Sequence, residues 1–303
     1  MRFIEAYLNY WAAVARVEAA EKNKERYADN LALSSVLVEN GLRPAVDSAQ
    51  FNALFARASI SFLQAQKNVA ATRARVRELL GDDMQVIHID ASLDRILAMP
   101  SEVNPEGHPL LQRSRTQTQL AQSLQTELNR SLLPDLNFWA TAFARGSSIL
   151  FEGGFDSPTD GLAFSKYNYG MGFQVVLPLL QFSRTSKLMQ RQKALISAAE
   201  VYELQVERAL EKDRTVAVAT LSHAVEAARI APRYVEAAQY SFRSLRANYD
   251  AGLIQANDLI QGQADLAQAE AESIEIKVEM WKALLYYAAV RGDVTLFLAS
   301  LSE

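Results

Sequence analysis

A glycine that separates two long helical patterns occurs twice in this sequence, and the two copies lie 211 residues apart. One helical run of roughly seventy residues reaches Gly252, and a run of nearly forty residues leaves it. Gly41 stands at the corresponding place between residues 3–39 and 47–80. A glycine in this position typically ends a helix with a left-handed turn. Each of the two glycines therefore predicts the tip of a helical hairpin.

The similarity between the tips continues along the helices that follow them. When residues 41–82 are placed on residues 252–293 without a gap, 10 of the 42 positions are identical. A Gly-Leu pair begins each copy and a Gly-Asp pair ends it. Chance explains such pairs less readily than it explains matched alanines in two helices. We therefore predict a duplicated helical hairpin.

Composition favours long helices and argues against several classes of site. Only twelve Gly and eight Pro occur in 303 residues, which suits long helices. The net charge is -4 and no basic patch with interleaved aromatics occurs, so we expect no nucleic-acid partner. The chain has no Cys, and His88, His108 and His223 lack the spacing of metal ligands. Because phosphate-binding and nucleophile motifs are also missing, we expect no catalytic, cofactor-binding or metal-binding residue, and no enzyme.

The helical period gives way to the period of a β-strand between Pro134 and Leu177. In residues 167–177 an apolar set alternates with small and polar residues. That set is Tyr167, Tyr169, Met171, Phe173, Val175 and Leu177. A tilted strand needs about 9–11 residues to cross a bilayer, and tyrosines suit the membrane interface. We therefore predict a transmembrane β-hairpin whose second strand turns this set toward lipid.

The first strand of the predicted hairpin, residues 136–145, has aromatic residues on both faces, so its orientation stays open. A half-buried hairpin in a soluble protein is the alternative interpretation of such alternation. We favour the membrane, because a lone two-stranded hairpin between long helices has no sheet to join and is not stable by itself.

These patterns divide the chain into six segments. They are a helical hairpin of the first repeat at 1–81, a connector at 82–105, a helix at 106–133, a β-hairpin with an external loop at 134–177, a long helical hairpin at 178–292 and a C-terminal tail at 293–303. A short strand is expected within the connector at 86–89. The predicted fold class is mainly α, with long antiparallel helical hairpins and an inserted transmembrane β-hairpin.

Acidic residues beside the tips admit two roles. Asp47 lies beside the first tip, and Asp250 and Asp258 lie beside the second. An aspartate near a helix start is favourable as a capping residue. Carboxylates at the end of a helical bundle could also ring an aqueous constriction. The two roles are compatible, and both stay open here.

The order of these elements resembles the TolC-type outer-membrane efflux family. The motifs that carry the resemblance are His108-Pro109-Leu110-Leu111, Leu133-Pro134-Asp135-Leu136, Tyr169-Gly170-Met171-Gly172, Leu177-Pro178-Leu179, and Tyr249-Asp250-Ala251-Gly252-Leu253 with Asp258-Leu259. The resemblance implies a homotrimer in the cell outer membrane, whose shared twelve-stranded β-barrel continues into an α-helical tunnel (α-barrel) across the periplasm. It also implies passive export, as the exit duct of a tripartite efflux or type I secretion system with a periplasmic adaptor (membrane fusion) protein and an inner-membrane pump.

For the tips, the resemblance implies docking of the adaptor at Gly41, Leu42, Gly252 and Leu253. The exported substrate stays unspecified, because a tunnel wall determines little beyond bore and charge. The rival hypothesis is a soluble periplasmic or cytoplasmic coiled-coil scaffold or adaptor protein, which would leave residues 167–177 unexplained.

The sequence departs from the family pattern before Gly41. That pattern has a signal sequence, two strands and a long helix ahead of the first tip, whereas 40 residues precede Gly41 here. We therefore expect the first repeat to lack its N-terminal part, and we expect these 303 residues not to form a closed channel alone.

Overall fold

The computed structural model describes residues 1–81, 87, 89–98, 107–146, 164, 166–177 and 182–302. The helices are α1 (Arg2–Glu39), α2 (Ala45–Leu80), α3 (Pro109–Arg130), α4 (Phe182–Asp250), α5 (Ala256–Arg291) and α6 (Thr295–Ser302), and the strands are β1 (Asp135–Arg145) and β2 (Lys166–Val176). This confirms the predicted fold class of long helices with one inserted antiparallel hairpin. No helix in the described ranges is long and apolar enough to cross a membrane. The strand expected at 86–89 and most of the predicted external loop lie outside the described residues.

One compact unit comprises Met1–Pro109 and Arg208–Glu303. Its larger core gathers buried residues of α1, α4 and α5, among them Trp11, Leu221 and Trp281. The indole Nε1 of Trp281 donates a hydrogen bond of 2.8 Å to the carbonyl of Leu93, which lies in a short 3₁₀ turn, Ala91–Asp94. Trp281 therefore ties the connector to the helical core.

The end of the chain differs from the predicted tail, because it contains helix α6. The side chain of Asp293 accepts a hydrogen bond of 2.8 Å from the backbone N–H of Thr295 and so caps the start of this helix. Phe297 is buried and packs edge-to-face on Trp281, with ring centroids 5.8 Å apart. The sequence prediction missed α6 because the helix is short and depends on this tertiary contact.

Buried polar contacts join α1 to α5 on the way to the tips. The guanidinium of Arg26 donates two hydrogen bonds, of 3.0 and 2.6 Å, to the carboxylate of Glu270. Asn30 Nδ2 donates to Gln263 Oε1 at 2.5 Å, and both of these side chains are fully buried. A shift of one helix along the other would leave these groups buried without partners, which costs more than losing exposed pairs. The contacts therefore hold α1 and α5 in one register.

The second unit, Leu110–Glu207, contains α3, the start of α4 and the β-hairpin. Thr118 Oγ1 on α3 donates a hydrogen bond of 2.8 Å to the carboxylate of Glu203 on α4. Gln192 Nε2 on α4 donates to the carbonyl of Ala121 at 2.8 Å. These contacts pair the two helices on either side of the hairpin.

The pairing of β1 with β2 resolves which face of the first strand is apolar. The strands are antiparallel, and the register runs from Asp135 opposite Val176 to Arg145 opposite Lys166. Even-numbered residues of β1 therefore lie opposite the odd-numbered apolar residues of β2, and the rings of Phe138 and Phe173 are 5.3 Å apart. β2 ends at Val176, so Leu177 lies one residue beyond the strand in which it was predicted.

Candidate functional site at the helical tips

Both tips have the same backbone geometry. Gly41 and Gly252 adopt left-handed conformations, with φ of 72° and 77°. At the first tip, the N–H of Gly41 bonds to the carbonyl of Val38 and that of Leu42 bonds to Leu37, each at 2.9 Å. At the second tip, Gly252 and Leu253 repeat the two bonds at 3.0 and 2.9 Å. This is the Schellman motif, and it confirms the left-handed turn predicted at each glycine.

The leucine after each glycine points into solvent. Leu42 is 70% exposed and Leu253 is 74% exposed. Two large apolar side chains therefore stand at equivalent places at the ends of the two hairpins. This placement is compatible with the docking role that the resemblance implies for Gly41, Leu42, Gly252 and Leu253, which stays a prediction.

A cluster of polar and aromatic side chains joins the two tips. The hydroxyl of Tyr249, on the last turn of α4, donates a hydrogen bond of 3.2 Å to Oδ2 of Asp47 on α2. Tyr249 is completely buried, and Phe51 packs against its ring edge-to-face at 5.9 Å. We call Arg43, Asp47, Phe51 and Tyr249 the tip cluster.

Arg43 of the first tip binds the backbone of the second. Its Nη2 donates hydrogen bonds to the carbonyls of Tyr249 and Ile254, at 3.0 and 2.7 Å. Its guanidinium also lies over the ring of Tyr249, with Cζ 4.5 Å from the ring centroid. The last carbonyls of a helix lack intrahelical partners and carry partial negative charge, so a cation stabilises them. Arg43 therefore caps α4 from the neighbouring hairpin.

The tip cluster changes the acidity of its tyrosine. Burial raises the pKa of Tyr249 above the ordinary value of 10.0, and the negative charge of Asp47 adds to this effect. Both favour the neutral phenol over the tyrosinate. Tyr249 is therefore a hydrogen-bond donor to Asp47 throughout the neutral pH range.

Asp47 and Asp258 occupy the same position in the two repeats but make different contacts. Each is the third residue of its helix. Asp258 accepts a hydrogen bond of 3.2 Å from the N–H of Gln255 and completes a capping box. The residue equivalent to Gln255 in the first tip is Pro44, which has no N–H to donate. The carboxylate of Asp47 therefore forms no capping box and accepts the hydrogen bond from the hydroxyl of Tyr249 instead.

The predicted constriction residues are thus placed in three different environments. Asp47 is buried in the tip cluster, Asp258 is an exposed capping residue, and Asp250 is exposed at the end of α4. The capping role considered for these residues is present at Asp258. Nothing in a single chain tests whether they line a constriction, so that role stays a prediction.

Sequence reasoning missed Arg43 and the inward role of Tyr249. The sequence contained one signal for this difference. The first tip has Arg43 and Pro44 at the positions where the second tip has Ile254 and Gln255. The two repeats differ in sequence at this turn, and their aspartates bind different partners there.

The β-hairpin is the second candidate site. On its apolar face Tyr169, Met171 and Phe173 are 86%, 71% and 75% exposed. On the other face the indole of Trp139 lies across Gly170 and Gly172, where an added Cβ would come within 3.3 and 3.1 Å of it. Gly170 and Gly172 therefore leave the space on this face of β2 that the indole of Trp139 on β1 occupies.

No group of three or more His, Asp or Glu side chains in the described part of the chain is placed to hold a metal ion.

Comparison with known proteins points to one family. A family model described as outer membrane efflux protein matches residues 105–285. No curated protein matches the sequence.

Solved structures of outer-membrane channels share the fold. The channel OprN is 16% identical, with a TM-score of 0.75 over 96% of this chain and 65% of that chain. CusC is 13% identical, with a TM-score of 0.78 over 96% of this chain and 67% of that one. CmeC of Campylobacter jejuni is 13% identical, with a TM-score of 0.74 over 100% of this chain and 65% of that one. The present chain thus spans about two thirds of the length of these channels.

Proposed function

Because the chain belongs to the outer membrane efflux protein family, whose model matches more than half of it, we propose that it is a subunit of an export duct in the cell outer membrane. In this proposal the β-hairpin crosses the outer membrane, and the helical hairpins extend into the periplasm as part of a tunnel wall. Export through such a duct is proposed to be passive.

The observation that carries this proposal is the exposed apolar face of the β-hairpin. Tyr169, Met171 and Phe173 are exposed in the middle of an eleven-residue strand. Water disfavours a contiguous apolar surface of this kind, whereas lipid accommodates it. A soluble coiled-coil scaffold, the rival hypothesis, would have no use for such a face.

A comparison of the same substitution on the two faces of the hairpin tests this proposal. Met171→Arg places a charge at the centre of the lipid-facing surface, and Thr141→Arg places the same charge on the opposite face at the neighbouring pair of the register. Arginine near a bilayer midplane costs roughly 2–4 kcal/mol on a lipid-facing strand. We expect Met171→Arg to be lost from the outer-membrane fraction and Thr141→Arg to be retained. Equal retention of both, or a wild-type protein found outside the membrane, would favour the scaffold.

The proposal also assigns the two tips to a periplasmic adaptor protein, which in turn contacts an inner-membrane pump. Leu42 and Leu253 supply exposed apolar contacts at equivalent turns. The duct is proposed to be a homotrimer that serves drug efflux or type I secretion. Photo-cross-linking from Leu253 in cells is expected to capture the adaptor. Capture only from positions in the middle of the helices would count against docking at the tips.

The proposal also places the constriction of the duct at the tips. Asp250 and Asp258 are exposed there, and several copies around one axis would bring their carboxylates together. Such a ring attracts cations. The tip cluster supports this arrangement, because Arg43 and Asp47 fix the end of α4 that carries Asp250.

A further inference from the structure

Three polar side chains form a line along one face of α1. They are Arg26, Asn30 and Ser34, each four residues from the next. Asn30 and Ser34 are completely buried, and the side chain of Arg26 is 17% exposed. Residues four apart on a helix lie one above the other, with Cβ atoms about 5–6 Å apart. We call these three residues the polar line, and polar side chains of these types are uncommon in a protein interior.

Each member of the polar line keeps one buried atom without a hydrogen-bond partner among the described residues. These atoms are Nε of Arg26, Oδ1 of Asn30 and Oγ of Ser34. An unpaired buried polar atom is costly, and in native proteins the great majority of such atoms bind another protein group or an ordered water. Three unpaired atoms on successive turns of one helix therefore indicate partners that they share.

The remaining atoms of the polar line are engaged, which fixes the positions of the unpaired ones. Both Nη atoms of Arg26 donate to the carboxylate of Glu270, at 3.0 and 2.6 Å. Asn30 Nδ2 donates to Gln263 Oε1 at 2.5 Å, and Gln263 Nε2 donates in turn to Asn23 Oδ1 at 3.3 Å. Turning the amide of Asn30 over would place its oxygen against the oxygen of Gln263. Oδ1 of Asn30 therefore keeps its place and needs a donor.

We propose that α1 binds two internal water molecules along the polar line, one between Arg26 Nε and Asn30 Oδ1 and one between Asn30 Oδ1 and Ser34 Oγ. Two hydrogen bonds of about 2.8 Å let a single water link atoms about 5–6 Å apart, which is also the spacing of successive turns. The amide oxygen of Asn30 has two lone pairs and can accept from both waters. Buried waters typically occupy sites of this kind, where polar groups of the interior lack protein partners.

The pattern of donors and acceptors selects water over a metal ion. Arg26 Nε–H needs an acceptor and Asn30 Oδ1 needs a donor, and a water molecule can be both at once. A cation cannot accept a hydrogen bond, and the charge of Arg26 would repel it. Hard cations also take about six or more oxygen ligands, whereas the polar line offers the oxygens of Asn30 and Ser34.

The end of the polar line nearest the tips meets the tip cluster. Burial raises the pKa of Tyr249, and the hydroxyl of Ser34 acts against this increase, so the two hydroxyls are neighbours. Ser34 Oγ forms no hydrogen bond of ordinary geometry there, so it keeps its capacity to bind a water. Tyr249 itself donates to Asp47. The two waters thus extend the polar contacts of the tip cluster up α1 to the pair of Arg26 and Glu270.

A crystal structure of the full chain, at a resolution that shows ordered water, tests the proposal directly. We expect two density peaks, each about 2.7–3.2 Å from the two side-chain atoms that it links. Crystals soaked in rubidium chloride should give no anomalous signal at either peak. The absence of either peak, direct pairing of the three atoms with protein groups, or a rubidium signal in their place would overturn the proposal.

The stability of Ser34→Ala provides a second readout, because bound and absent water predict opposite signs. Without a water, alanine removes an unpaired buried hydroxyl and improves the helix propensity, so the unfolding temperature should rise. With a water, alanine removes one of its two partners, so the unfolding temperature should fall. We expect a fall. The same substitution in the Tyr249→Phe background separates the water from the phenol, and we expect a fall there as well.

Ser59→Ala is the matched control for this second readout. The hydroxyl of Ser59 donates to the carbonyl of Phe55 in its own helix, at 2.8 Å, so its removal should change the unfolding temperature little. A rise for Ser34→Ala in either background, or a change no larger than that of the control, would overturn the proposal. Neither readout involves export, so the outcome decides the polar line separately from the proposed duct.

Discussion

The hydroxyl of Tyr249 donates a hydrogen bond of 3.2 Å to Oδ2 of Asp47, and this bond joins residues 202 positions apart at the ends of two helical hairpins. Both side chains are buried, and Arg43 covers the tyrosine ring from the side of the first tip. This polar contact therefore joins the two tips of one chain at the edge of an apolar cluster that includes Phe51, Phe242 and Leu259.

Removal of the tyrosine hydroxyl should destabilise the tips. In Tyr249→Phe the carboxylate of Asp47 stays buried without its donor, which costs about 1–3 kcal/mol. Tyr240→Phe is the matched control, since Tyr240 is 70% exposed on the same helix. We expect thermal unfolding in detergent to shift down for Tyr249→Phe alone. Equal midpoints for the two variants would show that the bond contributes nothing to stability.

The pH dependence of stability should report the same tyrosine. Its pKa is raised in the folded protein above the ordinary 10.0, so folding favours the protonated phenol. This contribution is fully present below about pH 10 and is lost as the pH rises through the raised pKa. Above pH 10 the stability of the wild type should therefore fall more steeply than that of Tyr249→Phe. Parallel curves from pH 9 to pH 12 would contradict the raised pKa.

Arg43 should matter through its geometry as well as its charge. Arg43→Gln removes the contact with the ring and two charge-assisted hydrogen bonds, one to the helix-end carbonyl of Tyr249 and one to the carbonyl of Ile254 in the turn. A hydrogen bond to a charged group contributes about 1.5–3 kcal/mol. Arg43→Lys keeps the charge but not the planar fork, so we expect an intermediate loss. Arg57→Gln, at an exposed position on α2, is the control and should leave the unfolding midpoint unchanged. If Arg43→Gln behaved like this control, Arg43 would not hold the tips.

The glycines at the tips should resist substitution for reasons of backbone conformation alone. A Cβ at Gly41 or Gly252 meets no atom within 4 Å, but φ is 72° and 77°. Alanine in this region costs roughly 1–2 kcal/mol. Gly107→Ala, also in open space but without a positive φ, should be neutral. Denaturant titration of the three variants checks this, and equal stability of all three would rule out strain at the tips.

Much of the fold could be predicted because its signals are local. The tip glycines, the period of the long helices and the alternation in residues 167–177 all depend on neighbouring residues. The orientation of β1 could not be predicted, because both of its faces carry aromatic residues. The aromatic residue Trp139 lies on the face that is small in β2, where it fills the space over Gly170 and Gly172.

The tip cluster could not be predicted because it depends on residues far apart in the chain. Asp47 and Asp258 look equivalent in the repeat, yet Pro44 prevents the first from forming the capping box that the second forms. Helix α6 escaped prediction for a related reason, since Phe297 is held by Trp281 rather than by any signal in the final eleven residues.

Single-channel conductance of the protein extracted from outer membranes tests the central claim, a duct whose tips are held by Arg43, Asp47 and Tyr249. Because these 303 residues are not expected to close a channel alone, the measurement uses the chain joined to the two strands and the helix that the family pattern places ahead of the first tip. In planar bilayers we expect this completed wild-type duct to show small, cation-selective currents, and we expect Arg43→Gln combined with Tyr249→Phe to increase its conductance several-fold. Asp250→Asn plus Asp258→Asn should reduce the cation selectivity. The absence of currents from the wild type and the variants, or the same conductance and selectivity in all three proteins, would contradict the account.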